Sequence, residues 1–195
     1  MRDSCKGADW MKVMVTGPRP KNLANNYELT HPINIAMGKR MRELVLSLAG
    51  YDEEENEFAY QEPITMVSGM ALGVDTIWAM VALKLKRQFP ERFRLYCSIP
   101  CKKQESKLRK KDQDRYQDIV SKADEVVYVS KETYTPDCMQ KRNEHMVQVS
   151  DYLYGIWDGR EGGTKNCIMY AKNNDIICHV EDPTEWIQSY QSGKL

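Results

Sequence analysis

Four stretches of this chain carry residue types suited to holding an anion. Three are loops: Thr16-Gly17-Pro18-Arg19-Pro20, Ser68-Gly69-Met70-Ala71-Leu72-Gly73-Val74-Asp75, and Asp158-Gly159-Arg160-Glu161-Gly162-Gly163-Thr164. Glycines let backbone amides approach a ligand closely, and where such a loop opens a helix the first amides favour a phosphate. Thr16, Ser68 and Thr164 add hydroxyl donors, and Arg19 adds a guanidinium able to clamp a phosphate or carboxylate at two points. Any one of these loops is equally well explained by the packing of a strand-to-helix turn. Three of them together favour a nucleotide or phosphosugar pocket. The fourth stretch is Arg142-Asn143-Glu144-His145, where Arg142 shares a helical face with Met139 and Met146. Such an arginine is costly to bury without an anion, unless its stem covers the core while its head reaches water.

Other reactive side chains form no comparable constellation. Cysteines stand at 5, 97, 101, 138, 167 and 178 with no repeating interval, several of them inside apolar runs. That is the usage of small core hydrophobes in a reducing compartment. Cys97 and Cys101 with Cys178-His179 would make four ligands, but no compact second pair follows, so no metal is expected. His31, His145 and His179 show no spacing to a serine or cysteine that suggests a nucleophilic triad. No catalytic residue is assigned and no cofactor is expected.

The elements that must position these loops are legible as alternating patterns. Apolar, β-rich runs cover Lys12 to Thr16, Ile64 to Ser68, Phe93 to Ile99, Glu125 to Val129, Tyr152 to Trp157 and Ile176 to Val180. Between them, Met37, Met41, Leu44, Val45 and Leu48 share a helical face, as do Val74, Ile77, Trp78, Val81 and Leu85. Leu108, Tyr116, Ile119 and Val120 mark a more polar third helix. Strands alternating with helices predict an α/β fold of three layers around a mostly parallel sheet. In such a sheet ligands bind outside the carboxyl ends of the strands, where the glycine loops fall. Thr135-Pro136 predicts a helix through about Val149, Thr164 a helix through about Lys172, and Asp182-Pro183 a C-terminal helix. Residues 51–58, with five acids, read as a solvated bulge. Residues 1–11 read as an N-terminal extension and 12–195 as a single domain.

Composition narrows the partners. The 195 residues are 42% apolar and 29% charged, a globular balance. Lysine plus arginine equals aspartate plus glutamate at 28 each, so there is no overall positive field for nucleic acid or anionic membrane. Residues 102–111 hold six basic residues and one acid but no aromatic to stack on a base, so nucleic acid is not expected as a partner. No apolar run reaches membrane-span length and the N-terminus has no signal-peptide core, which predicts a cytoplasmic protein without membrane contact.

Taken together, Val15 to Pro20, Ser68 to Asp75, Ile99-Pro100-Cys101, Arg142-Asn143, Ser150-Asp151 and Trp157 to Thr164 resemble the SLOG superfamily of Rossmann-like proteins. The YpsA/YspA-like branch is the nearest, with the DNA-processing protein DprA and the cytokinin-activating LOG enzymes more distant. The resemblance spans Lys12 to about Val180. It implies a Rossmann-like three-layer sandwich, a pocket for a nucleotide or nucleotide-derived ligand, and a homodimer or higher homo-oligomer. The expected binding residues are Thr16 to Arg19, Ser68 to Ala71, Asp75, Arg142, Asn143, Asp158, Gly159 and Gly162 to Thr164. Two departures stand out. Pro18 replaces the histidine common in the first loop, and Cys167 stands where LOG enzymes place a catalytic glutamate. A thiol there neither stabilises an oxocarbenium-like centre nor activates water well. The leading expectation is a binding protein for an ADP-ribose-like ligand, a sensor or a sponge for an immune signalling nucleotide, since the superfamily occurs in bacterial and phage conflict systems. The alternative is a nucleotide N-glycosidase using Glu144, Asp75, Asp158 or Glu161. A DprA-like single-strand DNA binder is disfavoured by the neutral charge.

Overall fold

The computed structural model describes residues 11–23, 28–130 and 134–194. Most of the expected N-terminal extension, Cys5 included, lies outside the described residues. In chain order the elements are β1 (Met11–Thr16), α1 (Pro32–Leu48), β2 (Tyr51–Asp52), β3 (Glu57–Phe58), β4 (Ile64–Ser68), α2 (Val74–Gln88) and β5 (Phe93–Ile99). Then come α3 (Lys110–Lys122), β6 (Glu125–Tyr128), α4 (Cys138–Gln148), β7 (Tyr152–Ile156), α5 (Gly163–Asn173), β8 (Ile177–Glu181) and α6 (Thr184–Gln191). Short 3₁₀ turns cover Pro20–Asn22 and Gln104–Lys107. The architecture is a six-stranded parallel sheet flanked by helices, the Rossmann-like α/β fold.

Strand order β6-β5-β4-β1-β7-β8 follows from two runs of crossovers in opposite directions. The chain steps outward from β1 through β4 and β5 to β6, then returns to lay β7 on the free side of β1, with Val13 opposite Tyr152 and Thr16 opposite Gly155. Progression reverses between β1 and β7. At such a switch point the connecting loops diverge and leave a crevice at the carboxyl ends.

Alternation along the central strands divides the core into two layers. Val13, Val15, Met66, Leu95, Tyr154 and Ile156 face a cluster completed by α1, α2 and α3, against which Trp186 of α6 packs. Met14, Val67, Tyr96 and Leu153 face the opposite cluster, completed by Met146 and Val147 of α4 and Cys167, Ile168 and Ala171 of α5. A strand covered on both faces reads as a continuous apolar run. Trp78 and Tyr154 are the largest fully buried side chains, their rings 6.3 Å apart.

Three local expectations need correction. Helix α4 begins at Cys138 rather than beside Thr135, because Pro136 and Asp137 form a turn in which the Cys138 amide donates to the Thr135 carbonyl at 3.2 Å. Thr164 is not the cap of α5; Gly162, at φ +143°, turns the chain and Gly163 is the first helical residue. Residues 51–58 are a two-stranded hairpin and not a simple bulge. Glu53, Glu54 and Glu55 occupy its tip, while the Tyr51 and Phe58 rings pack tilted against each other at 4.8 Å and against Phe89 at 5.0 and 5.1 Å. No described helix is long and apolar enough to cross a membrane.

Candidate functional site

The crevice between β1 and β7 is a cleft of about 300 Å³. The end of β1 and the residues that follow, Thr16 to Arg19, form one wall and the loop after β7 with the start of α5 forms the other. Asp75 of α2 and Arg142 and Asn143 of α4 line the cleft between them. Of the residues expected to bind a ligand, all but Ser68, Gly69, Met70 and Gly159 line this cleft. Lys21, Asn22, Met139, Trp157 and Arg160 line it too, although the sequence reading did not select them. Trp157 and Arg160 fall inside a quoted motif, and Lys21 directly follows one, so proximity along the chain was the available signal.

The second glycine loop serves the site indirectly. Its amides are already used within the protein: Met70 N–H donates to Ser68 Oγ at 3.1 Å and Ala71 N–H to Asp75 Oδ2 at 3.2 Å. Gly69 is required by the guanidinium of Arg142, since a Cβ there would fall 1.4 Å from Arg142 Nη1. That nitrogen in turn donates to Asp75 Oδ2 at 2.6 Å, in a pair whose side chains are each only 8% exposed. Removing one partner of such a pair strands a buried charge, at a cost of about 3–5 kcal/mol. The pair holds Arg142 rigidly, yet its Nε is buried and bonded to nothing described. The first loop is also shaped by packing, because a Cβ on Gly17 would meet the Val74 side chain at 2.7 Å.

The third loop is different. A Cβ added at Gly162 or Gly163 would meet nothing within 4 Å, so both face open space. Helix α5 has no side-chain cap and no acid in its first turn, and its first internal bond is from Asn166 N–H to the Gly162 carbonyl at 3.0 Å. The preceding amides of Gly163, Thr164 and Lys165 are therefore the orphan donors of a helix start, at its positive end.

The other charges of the cleft are largely committed. Arg160 bonds Asp158 through both Nε (2.6 Å) and Nη2, and it reaches the Asn22 carbonyl across the mouth at 3.4 Å. The hydrogen bond from Arg160 holds the Asp158 carboxyl below its ordinary range. Glu161 pairs with Lys165. Arg19 and Lys21 make no ion pair among the described residues. The uncommitted electrostatics of the cleft are thus positive. Trp157 donates its indole N–H to the Arg160 carbonyl at 2.7 Å, which fixes an aromatic ring at the same wall.

Cys167 does not take the place of a catalytic acid. It is 1% exposed, and burial pushes its thiol up to about 11, against a hydrogen bond with Thr16 that acts in the opposite direction. Glu144 is bonded to Gln140 at 2.8 Å and does not line the cleft. The four residues weighed as metal ligands are dispersed, with β4, β1 and β7 between β5 and β8.

Fold and cleft together define a Rossmann-like protein with a crevice at the topological switch point. The chain belongs to the YspA SLOG family, whose model matches residues 13–179. It is similar to the SPbeta prophage-derived protein YoqJ of Bacillus subtilis, at 28% identity over 130 residues, 61% of this chain and 72% of that one. A UPF0398 protein of Halalkalibacterium halodurans is 34% identical over 130 residues (63% and 68%), and one of Bacillus cereus 27% over 163 (83% and 82%). Among solved structures, DNA processing protein A of Helicobacter pylori, described with a single-stranded DNA binding mode, superposes with TM-score 0.55 at 17% identity over 94% of this chain and 73% of that one. DprA of Streptococcus pneumoniae gives TM-score 0.55 at 16% identity, covering 88% of this chain and half of that one. At these identities the two structures speak for the fold alone.

Proposed function

We propose that the cleft holds a nucleotide or nucleotide-derived ligand, such as an ADP-ribose-like molecule, and holds it without cleaving it. The observation that carries this reading is the convergence of an uncapped helix start and a guanidinium on one cavity. The start of α5 offers open amides at Gly163 and Thr164, and the guanidinium of Arg142 lines the same cleft. Phosphate oxygens satisfy both. Arg19 and Lys21 add charge at the rim, and Trp157 offers a ring for the base. Retention without cleavage is supported by the pairing of the cleft's carboxylates: Asp75 and Asp158 are tied to arginines and Glu161 to Lys165. The prophage origin of one relative, YoqJ, fits a role in sequestering a signalling nucleotide during phage–host conflict.

The test is incubation with a panel of nucleoside monophosphates, NAD and cyclic ADP-ribose isomers, followed by denaturation and recovery of the bound fraction. Intact ligand at one equivalent per chain is expected. Free base released over many turnovers would replace this reading with an N-glycosidase.

A further inference from the structure

A second groove, of about 280 Å³, runs between α1 and α2. Gly38 of α1 lines it with Ile77 and Val81 of α2, both buried, and Leu29, Ile35 and Met80 complete its apolar surface. Ile35 is 47% exposed. Gly38 is the anomaly here. A glycine inside a helix costs stability relative to alanine, because its backbone loses more freedom on folding. Packing does not call for it: a Cβ there would meet Ile77 at 3.6 Å and Val81 at 3.9 Å, ordinary contacts that alanine makes without strain. This separates Gly38 from Gly17 and Gly69, whose neighbours leave no room for a side chain. What the missing side chain does is keep the groove open midway along its length.

Charge is confined to one end of the groove. Lys39 and Arg42 of α1 and Lys84 of α2 line it, and no acid does among the described residues. Lys39 and Lys84 make no ion pair among the described residues, and Arg42 bonds the neutral Gln88 at 3.1 Å. On each helix the cations follow the apolar residues in sequence, and both helices are crossovers between parallel strands, so they run in the same direction. Over roughly 10 Å, from Ile35 to Arg42, the groove therefore passes from apolar to positive. A second copy docked groove to groove would set these cations against their own images across a two-fold axis. An acidic helix would call for positive charge along the whole groove, since its charged residues recur turn by turn.

We propose that this groove binds a single-chain amphiphilic anion, an alkyl carboxylate, with its tail over Gly38 and its carboxylate among Lys39, Arg42 and Lys84. The groove shares no lining residue with the cleft between β1 and β7. The proposal therefore stands or falls independently of the nucleotide reading.

Amide chemical-shift titration with hexanoate, octanoate and decanoate, each below its micelle-forming concentration, tests it, with octan-1-ol as the uncharged control. Saturable shifts are expected at Gly38, Ile77 and Val81. Affinity is expected to rise about two- to fourfold per added methylene. Octanoate is expected to bind about fivefold more tightly than octan-1-ol, and Lys84→Gln to narrow that gap. Gly38→Leu, which fills the groove, is expected to abolish binding. Gly38→Ala is expected to weaken decanoate binding about threefold while raising the thermal midpoint by about 2–4 °C. An affinity independent of chain length, or equal for octanoate and octan-1-ol, overturns the proposal. So does parent-like decanoate binding in Gly38→Ala, or a lowered midpoint in that variant, which would show that packing requires the glycine. Shifts centred on Gly163 and Thr164 instead of Gly38 also overturn it, by placing the amphiphile in the cleft.

Discussion

At the scale of single residues, the glycines of the cleft do two different jobs. Gly69 and Gly17 are excluded volumes: each leaves room for a neighbouring side chain, Arg142 in one case and Val74 in the other. A Cβ on Gly162 or Gly163 would meet nothing within 4 Å, so no packing neighbour requires a glycine at either position. The distinction is testable. Gly69→Ala must displace the Arg142 guanidinium from Asp75, and it is expected to lower stability by about 3 kcal/mol, toward the cost of breaking a buried pair. Gly163→Ala at an open helix start is expected to change stability by less than about 1 kcal/mol. Urea denaturation of both variants measures this, and a parent-like midpoint for Gly69→Ala would contradict the close approach. None of this was visible in the sequence. The glycine motifs placed the loops at the cleft, but whether an amide is spent on Ser68 Oγ or left for a ligand depends on side chains folding back onto the loop.

At the scale of elements, every strand of the large sheet lies within one residue of its expected bounds. Strands β4 and β5 run between the residues their apolar patterns predict, because a strand covered on both faces carries no competing polar signal. Edge strand β8, exposed along one side, is displaced by one residue from its expected start. The hairpin at 51–58 was hidden by its acids, since the two aromatics that anchor it are separated by the charged tip. The C-terminal helix was anticipated from Asp182, whose Oδ1 accepts from the Thr184 amide at 2.9 Å. Helix α4 also couples the fold to pH. His145 Nδ1 lies 3.0 Å from Ser98 Oγ, its ring stacks on Tyr96, and burial holds its pKa below the ordinary 6.5. The folded state thus prefers the neutral ring, while the unfolded chain takes up the proton first as pH falls. The stabilisation from His145 is complete above about pH 6.5 and is lost as pH drops below it. Denaturation midpoints between about pH 7.5 and about pH 5.5 are expected to fall less steeply in His145→Gln than in the parent. Equal slopes would show that the imidazole does not carry the dependence.

At the scale of the molecule, one topological event organises the site. The chain reverses its progress across the sheet between β1 and β7; the loops that diverge there carry the open glycines and lead into α5, and Arg142 of α4 lines the crevice between them. The second glycine loop and the buried Asp75 build the socket that presents the arginine. On this account the crevice selects phosphate through groups that the folded protein leaves unsatisfied. The most direct measurement is a calorimetric titration of the parent and of Gly163→Leu with ADP-ribose and with inorganic pyrophosphate. The account predicts heat from one site per parent chain with at least one of the two, and none from Gly163→Leu, with both proteins unfolding at the same midpoint. A parent that releases no heat with either compound, or a Gly163→Leu isotherm matching the parent's, would contradict it.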